Sequence, residues 1–169
     1  AYQITQFDHP ICTGGYITVT GGKDIRINHI HIEEDAGKLV HDDYEGISMA
    51  DYNRCGVPLI EIVTEPDFRS IEEVQDFVEK LALRLKYAGV CDAKMEQGSM
   101  RVDVNISIMP VGSTEFGTRA ELKNLNSLKA IGRAIEYEIN RQAEILDNGG
   151  TVIQETRRYN DNHSDTKAL

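Results

Sequence analysis

Arg101–Ile108 reads RVDVNISI, the most regular stretch of the chain. Successive residues of an extended strand point to opposite faces. Val102, Val104, Ile106 and Ile108 therefore lie on one side, and Arg101, Asp103, Asn105 and Ser107 on the other. Beyond a loop containing Gly112 and Gly117, the run Thr118–Leu122 alternates again, with Arg119, Glu121 and Lys123 on its polar side. Paired antiparallel, these two strands present Arg101, Asp103, Asn105, Arg119, Glu121 and Lys123 on one surface. An ordinary sheet with one wet face fits this pattern. Against that, exposed strand faces favour Thr and β-branched residues over Asp and Asn. A mixed surface of acid, amide and base is also what a pocket for phosphates, a metal and a charged amino acid needs.

A long amphipathic helix flanks this strand pair on each side. Ser70-Ile71-Glu72-Glu73 is a capping box, followed by Ile71, Val74, Val78, Leu81 and Leu85 at helical spacing and a stop at Gly89. The second helix starts near Asn126-Ser127 and ends at Gly149-Gly150, with a stripe of Leu128, Ile131, Ile135, Ile139, Gln142 and Leu146. The Glu, Arg and Lys faces of both read as solvated. The tail from Thr151 onward turns polar and reads as loose. Glu96, entering the first strand, is a further pocket candidate.

Towards the N-terminus the pattern is β throughout. Tyr2–Phe7 reads as a short strand, and Tyr16–Thr20 follows a turn at Gly14-Gly15. A tight Gly21-Gly22 turn leads into Asp24–Ile32. In that strand Ile25 and Ile27 alternate in one phase and Ile30 and Ile32 in the other, which predicts a bulge near Asn28-His29. It ends in three consecutive acids, Glu33-Glu34-Asp35, which are either a solvated turn or a ligand set for a cation. Gly37-Lys38 is not a phosphate-binding loop, because Ile32 and Leu39 replace the glycine and hydroxyl residue that such a loop requires. Residues 39–50 read as a surface or lid loop.

Asp51–Phe68, DYNRCGVPLIEIVTEPDF, drives Glu61 and Glu65 into an apolar run after a Gly56-Val57-Pro58 turn. A carboxylate removed from water costs many kcal/mol unless it is paired or bound to metal. The strand Val57–Val63 therefore either faces solvent at Glu61 or holds that carboxylate for a reason. An EF-hand loop is excluded: Cys55 stands at the fifth position, Pro58 stiffens the middle and Ile62 replaces the bidentate glutamate.

The chain has 169 residues and a net charge of −10, with 40% hydrophobic and 27% charged residues, the composition of a globular protein with a sizeable core. No apolar run approaches the roughly 20 residues that span a bilayer. Three separated cysteines, Cys12, Cys55 and Cys91, suggest reduced thiols in a cytoplasmic setting and argue against zinc. The acidic balance argues against a main nucleic-acid-gripping surface on this piece. Acids at strand ends with bases on the same sheet favour Mg²⁺-assisted phosphoryl chemistry.

Several long runs carry a family resemblance. They are HIEEDAGK at 31–38, DYNRCGVPLIEIVTEP at 51–66, MEQGSMRVDVN at 95–105 and FGTRAELKNLN at 116–126, continuing through Gly149-Gly150 and Gln154–Arg157. In that order they resemble the B subunits of bacterial and organellar Asp/Glu-tRNA amidotransferases, the GatB family. The resemblance implies an α+β domain, a mostly antiparallel sheet with the two helices packed on it in a cradle like that of glutamine synthetase. It implies ATP- and Mg²⁺-dependent phosphorylation of the carboxylate of Glu or Asp misacylated on tRNA-Gln or tRNA-Asn, followed by amidation with ammonia. The ammonia comes from a glutaminase A subunit, and a C subunit completes the assembly. Glu34 and Glu61 align with the family's metal-ligand glutamates. Asp103 and Glu121 join them as catalytic candidates, and Glu96, Arg101, Asn105 and Lys123 as substrate- or nucleotide-binding ones. Glu65 has no motif argument behind it. The family's initial Glu-x-His strand and its C-terminal tRNA-gripping domains have no counterpart here, so the expectation is a central fragment, residues 1–169, of one cradle domain, inactive alone. A subunit-docking module without chemistry is the alternative.

Overall fold

The structure, a computed structural model, describes Gln6, residues 8–42 and residues 44–169. The chain divides into two compact units, Ala1–Phe68 and Arg69–Leu169. Helices and predominantly antiparallel sheets make it an α+β protein, as the family resemblance implies.

The first unit is organised on one long strand. β1 (Cys12–Thr13), β2 (Tyr16–Thr18), β3 (Asp24–Glu34) and β6 (Pro58–Thr64) form a sheet in which β3 pairs antiparallel with all three others. Gly21 and Gly22, at φ +97° and +83°, make the β2–β3 turn, a left-handed conformation that a side chain would strain. The bulge falls where the sequence predicts it: Ile27 pairs with Thr64 and His29 with Val63, leaving Asn28 as the extra residue. That residue resets the alternation, so Ile25, Ile27, Ile30 and Ile32 come to the same face of the sheet. The strand expected at Tyr2–Phe7 lies outside the described residues except for Gln6. Gln6 is not in a strand, yet its carboxamide accepts from Ile32 N–H (2.9 Å) and donates to Ile32 C=O (3.0 Å).

Residues 39–50 do not form a loop. β4 (Lys38–Asp42) and β5 (Ile47–Asp51) make an antiparallel hairpin, Lys38 opposite Asp51 and Val40 opposite Met49. Asp42 Oδ1 closes its turn by accepting from the N–H groups of Tyr44 (2.9 Å) and Glu45 (3.1 Å). Each strand holds a single β-branched residue, Val40 or Ile47, which hides the hairpin in the sequence.

In the second unit α1 spans Ile71–Tyr87 and α2 Leu128–Asp147. Both start on the predicted serines, with Ser70 Oγ accepting from Glu73 N–H and Ser127 Oγ from Ala130 N–H. α1 lies against α2, and α2 against the sheet of β7 (Val102–Ile106), β8 (Ala120–Leu125), β9 (Thr156–Asn160) and β10 (Asp165–Ala168). The order is β10-β9-β8-β7, antiparallel except for the parallel β8–β9 pair. A parallel pair needs a crossover connection, and α2 supplies it. The tail is therefore two strands rather than loose chain, and Tyr159 and Thr166 from it are buried. Its runs of polar residues, such as Thr156-Arg157-Arg158, conceal the strands in a composition reading.

The second helix buries Ile131, Ile135 and Gln142 of its predicted stripe, but the buried face is shifted from the rest of it. Ala130, Ile131, Ala134, Ile135, Glu138 and Gln142 are buried, whereas Ile139 and Leu146 are 38% and 46% exposed. The expectation that its charged face is uniformly solvated fails at Glu138, which is fully buried. Small residues at 130, 132 and 134 let neighbouring elements approach, and Gly132 sits against Ile71 and Gln75 of α1.

Candidate functional site

The sequence-predicted residues divide between the two units. In the first unit the register decides what Glu34 and Glu61 can do. His31 pairs with Glu61, and Glu34 with Pro58. Residues directly opposite share a face, so Glu61 stands with His29, His31 and Glu33, while Glu34 stands with Ile30 and Ile32 on the reverse. The strand pair does not bring the two glutamates together, and an ion shared by both would require one to reach around the strand edge. His31 is buried and its ring lies 4.6 Å from that of His29. The charge awkwardly placed between Ile60 and Ile62 is thus an exposed carboxylate on the histidine face.

Glu65 has a structural partner. It accepts from Asn28 Nδ2 at 2.6 Å, tying the end of β6 to the bulge residue of β3. Before β6, Asp51 Oδ1 caps the turn by accepting from Asn53 N–H at 2.9 Å, and Gly56 N–H donates to Asp35 C=O at 2.8 Å. The Gly56–Pro58 turn is thereby locked onto the acidic end of β3.

The second unit assembles the face read from RVDVNISI. Asn105 pairs with Glu121 and Val104 with Leu122, which places Asp103, Asn105, Glu121 and Lys123 on one surface. Lys123 Nζ lies 2.7 Å from Asp103 Oδ2 and 3.2 Å from Glu121 Oε1. Partial burial pulls the Lys123 ammonium down, but hydrogen bonds to Asp103 and Glu121 outweigh it and leave its pKa raised. The Thr156 hydroxyl, donating to Glu121 Oε2 at 2.8 Å, does most to hold the Glu121 carboxyl below its ordinary value, with Lys123 and Arg119 adding to it. Both groups are therefore charged at neutral pH.

Asn105, Arg119, Glu121, Gln154, Glu155 and Thr156 line a cleft of about 450 Å³. Glu96 is elsewhere: it borders a separate cavity of about 370 Å³ with Val78, Met95, Met100 and Leu128. Arg101 is exposed and immediately precedes β7. Gln154–Thr156 are the residues a reading of isolated strands misses, since only the parallel β8–β9 pairing brings them beside Glu121. Among the described residues no group of three or more His, Cys, Asp or Glu side chains converges as a ready metal cage. No helix among them is long and apolar enough to cross a membrane.

A family model described as the GatB/GatE catalytic domain matches residues 1–169. The chain belongs to that family. It is 62% identical over 172 residues to the B subunit of the aspartyl/glutamyl-tRNA(Asn/Gln) amidotransferase of Ruminiclostridium cellulolyticum, covering 100% of this chain and 36% of the relative. B subunits of the same name from Caldicellulosiruptor saccharolyticus and Lachnoclostridium phytofermentans are 60% and 58% identical, over 95% and 100% of this chain and 34% and 36% of theirs. The chain thus spans about a third of the length of these relatives.

Proposed function

We propose that this chain is catalytic-domain sequence from the B subunit of a cytoplasmic tRNA-dependent amidotransferase, acting with A and C subunits. The whole protein would use ATP and Mg²⁺ to phosphorylate the side-chain carboxylate of Glu or Asp misacylated on tRNA-Gln or tRNA-Asn, and ammonia would then displace the phosphate. The supporting observation is the charged face of β7 and β8, in a chain whose relatives bear the amidotransferase name throughout.

The residues suit the role. Lys123, kept protonated between Asp103 and Glu121, is a fixed cation for phosphate charge. Arg119 adds a guanidinium, the fork that matches phosphate oxygens. Asn105 offers an amide donor and acceptor to the amino-acid end. Mg²⁺ takes hard oxygen ligands, typically one or two carboxylates plus phosphates, so a cage of three protein ligands is not required. Glu61, an exposed carboxylate on the histidine face, is the residue we assign to it; Glu34, expected beside it, lies on the reverse face and is not assigned to the same ion. When bound, the ion would supply positive charge to phosphate oxygens.

The test is Glu61→Gln in the full-length protein, assembled with its partners and supplied with misacylated tRNA, ATP and glutamine. Amide formation should fall about 100-fold or more, with assembly unchanged by gel filtration. Unimpaired amide formation would remove Glu61 from the metal. The exposed apolar residues Leu39, Val40, Ile47 and Met49 of the β4–β5 hairpin favour a second role in subunit docking. If docking were the sole role, loss of assembly would follow hairpin substitutions, and Glu61→Gln would be silent.

A further inference from the structure

Behind the wall of the β8–β9 cleft lies a charge quartet that the proposed chemistry leaves unused. Glu138, on α2, is 0% exposed. Its Oε1 accepts from Arg141 Nη2 (2.6 Å) and Gln142 Nε2 (2.9 Å), and its Oε2 from Arg141 Nε (3.0 Å). Arg157 Nε stands 3.6 Å from the same Oε2. The two arginines converge again on Glu155 Oε1, Arg157 Nη1 at 2.5 Å and Arg141 Nη2 at 3.4 Å. Arg157 is fixed from the far side as well, donating to Thr166 Oγ1 and C=O at 2.8 Å each. Two carboxylates and two guanidiniums cancel in charge.

An ion group of this kind is a poor investment in stability, since a well-packed apolar side chain in the slot of Glu138 would serve as well or better. Its distinctive effect is on orientation. Glu155 is a cleft residue, with Glu121, Asn105 and Arg119 around the same space. Two guanidinium groups hold its carboxylate; behind them Glu138 hydrogen-bonds that of Arg141 and stands within ion-pair distance of that of Arg157. Without Glu138, both arginines would have Glu155 as their remaining carboxylate partner in the quartet and would draw it out of the cleft wall.

We infer that Glu138 is a positioning residue: acting through Arg157 and Arg141, it fixes the Glu155 carboxylate in the cleft for the incoming nucleotide and its counter-cation. The inference rests on the cleft being the nucleotide pocket of the proposed function. It deepens that reading by assigning the pocket's geometry to a side chain that never touches the ligand.

The experiment uses the full-length protein in its assembled complex. Calorimetry gives the affinity for Mg–ATP, steady-state kinetics give kcat and KM separately, and a thermal melt reports stability. Glu138→Gln should weaken Mg–ATP binding about 10-fold, the order by which groups supporting a binding residue act, with KM affected more than kcat. The double variant Glu138→Gln/Arg141→Gln leaves one base against one acid. It should regain most of the affinity while its melting temperature stays low, a separation that a purely structural role does not produce. Affinity within twofold of the parent in folded Glu138→Gln, or affinity that tracks melting temperature across the set, would overturn the inference. If Glu138→Gln does not assemble, Arg157→Lys decides: it keeps the charge but loses the fork, and unchanged affinity there is equally fatal. Glu121→Gln separates the two readings. If it leaves Mg–ATP affinity intact, the cleft reading falls and the inference with it; if it weakens binding and Glu138→Gln does not, only the positioning role falls.

Discussion

Asp67 should be the residue through which acid loosens the first unit. It follows β6 and closes back on β3. The Arg26 guanidinium donates through Nε at 2.9 Å and Nη2 at 2.7 Å, and the Arg26 backbone N–H at 3.0 Å. These bonds, with the Arg26 side chain foremost, bring the Asp67 carboxyl from its ordinary 3.8 down to about 2. At about 1.36 kcal/mol per pH unit, that gap corresponds to about 2.4 kcal/mol at neutral pH. Arg26 is 65% exposed, however, and solvent screens the pair; about 1 kcal/mol is the expected contribution. Because the folded value is the lower one, this stability is fully present above pH 4. It is lost as the pH falls through about 2. Asp67→Asn should therefore destabilise the chain by about 1 kcal/mol at pH 6, with the gap to the parent closing between about pH 4 and pH 2. Urea unfolding at a series of pH values, with NMR titration of the Asp67 carboxyl, measures both. A gap that stays constant with pH, or a carboxyl titrating at its ordinary value, would refute the reasoning.

Three further outcomes follow from the second unit. Ser127→Ala removes the acceptor for Ala130 N–H at the start of α2 and should cost about 1 kcal/mol in urea unfolding. Gly117→Ala would place a Cβ 2.3 Å from the Ile108 carbonyl oxygen, so the loop between β7 and β8 must move; we expect a clear drop in melting temperature and amide-exchange protection lost at Ile108. Thr156→Val removes the hydroxyl that chiefly depresses Glu121, so the Glu121 carboxyl should titrate closer to its ordinary value by NMR. The stability Glu121 contributes is present above its unfolded value and lost on acidification; in this variant it should be smaller, with the loss complete at a higher pH.

Much of this architecture is legible before any coordinates. Period-two alternation exposes β7 and β8, capping serines mark both helix starts, and the broken phase of four isoleucines locates the bulge at Asn28. The failures have physical causes. β9 and β10 hide because TRRYN and DTKA bury only one residue each, Tyr159 and Thr166, in otherwise polar sequence. Glu138 sits at helical spacing from Ile131 and Ile135, a signal that was available, but its partner Arg157 comes from a strand that composition does not show. Likewise Gln154–Thr156 become cleft residues only through a parallel pairing, which no local pattern encodes. The Asp103, Asn105, Glu121 and Lys123 constellation was readable in full, because a two-stranded register fixes it.

The parallel pairing also sets a schedule for synthesis. β8 leaves the ribosome with β7 already available on one edge, but its other partner lies beyond the thirty residues from Asn126 to Glu155. At the usual pace of about 5–20 residues per second, that edge waits about 2–6 s for β9. During this interval α2 emerges and can cover Ala120, Leu122 and Leu125 on one face, so the helix shields the sheet before the sheet is complete. The Gln154–Arg157 segment, arriving after α2 and before β10, covers the open edge of β8 and completes the cleft wall.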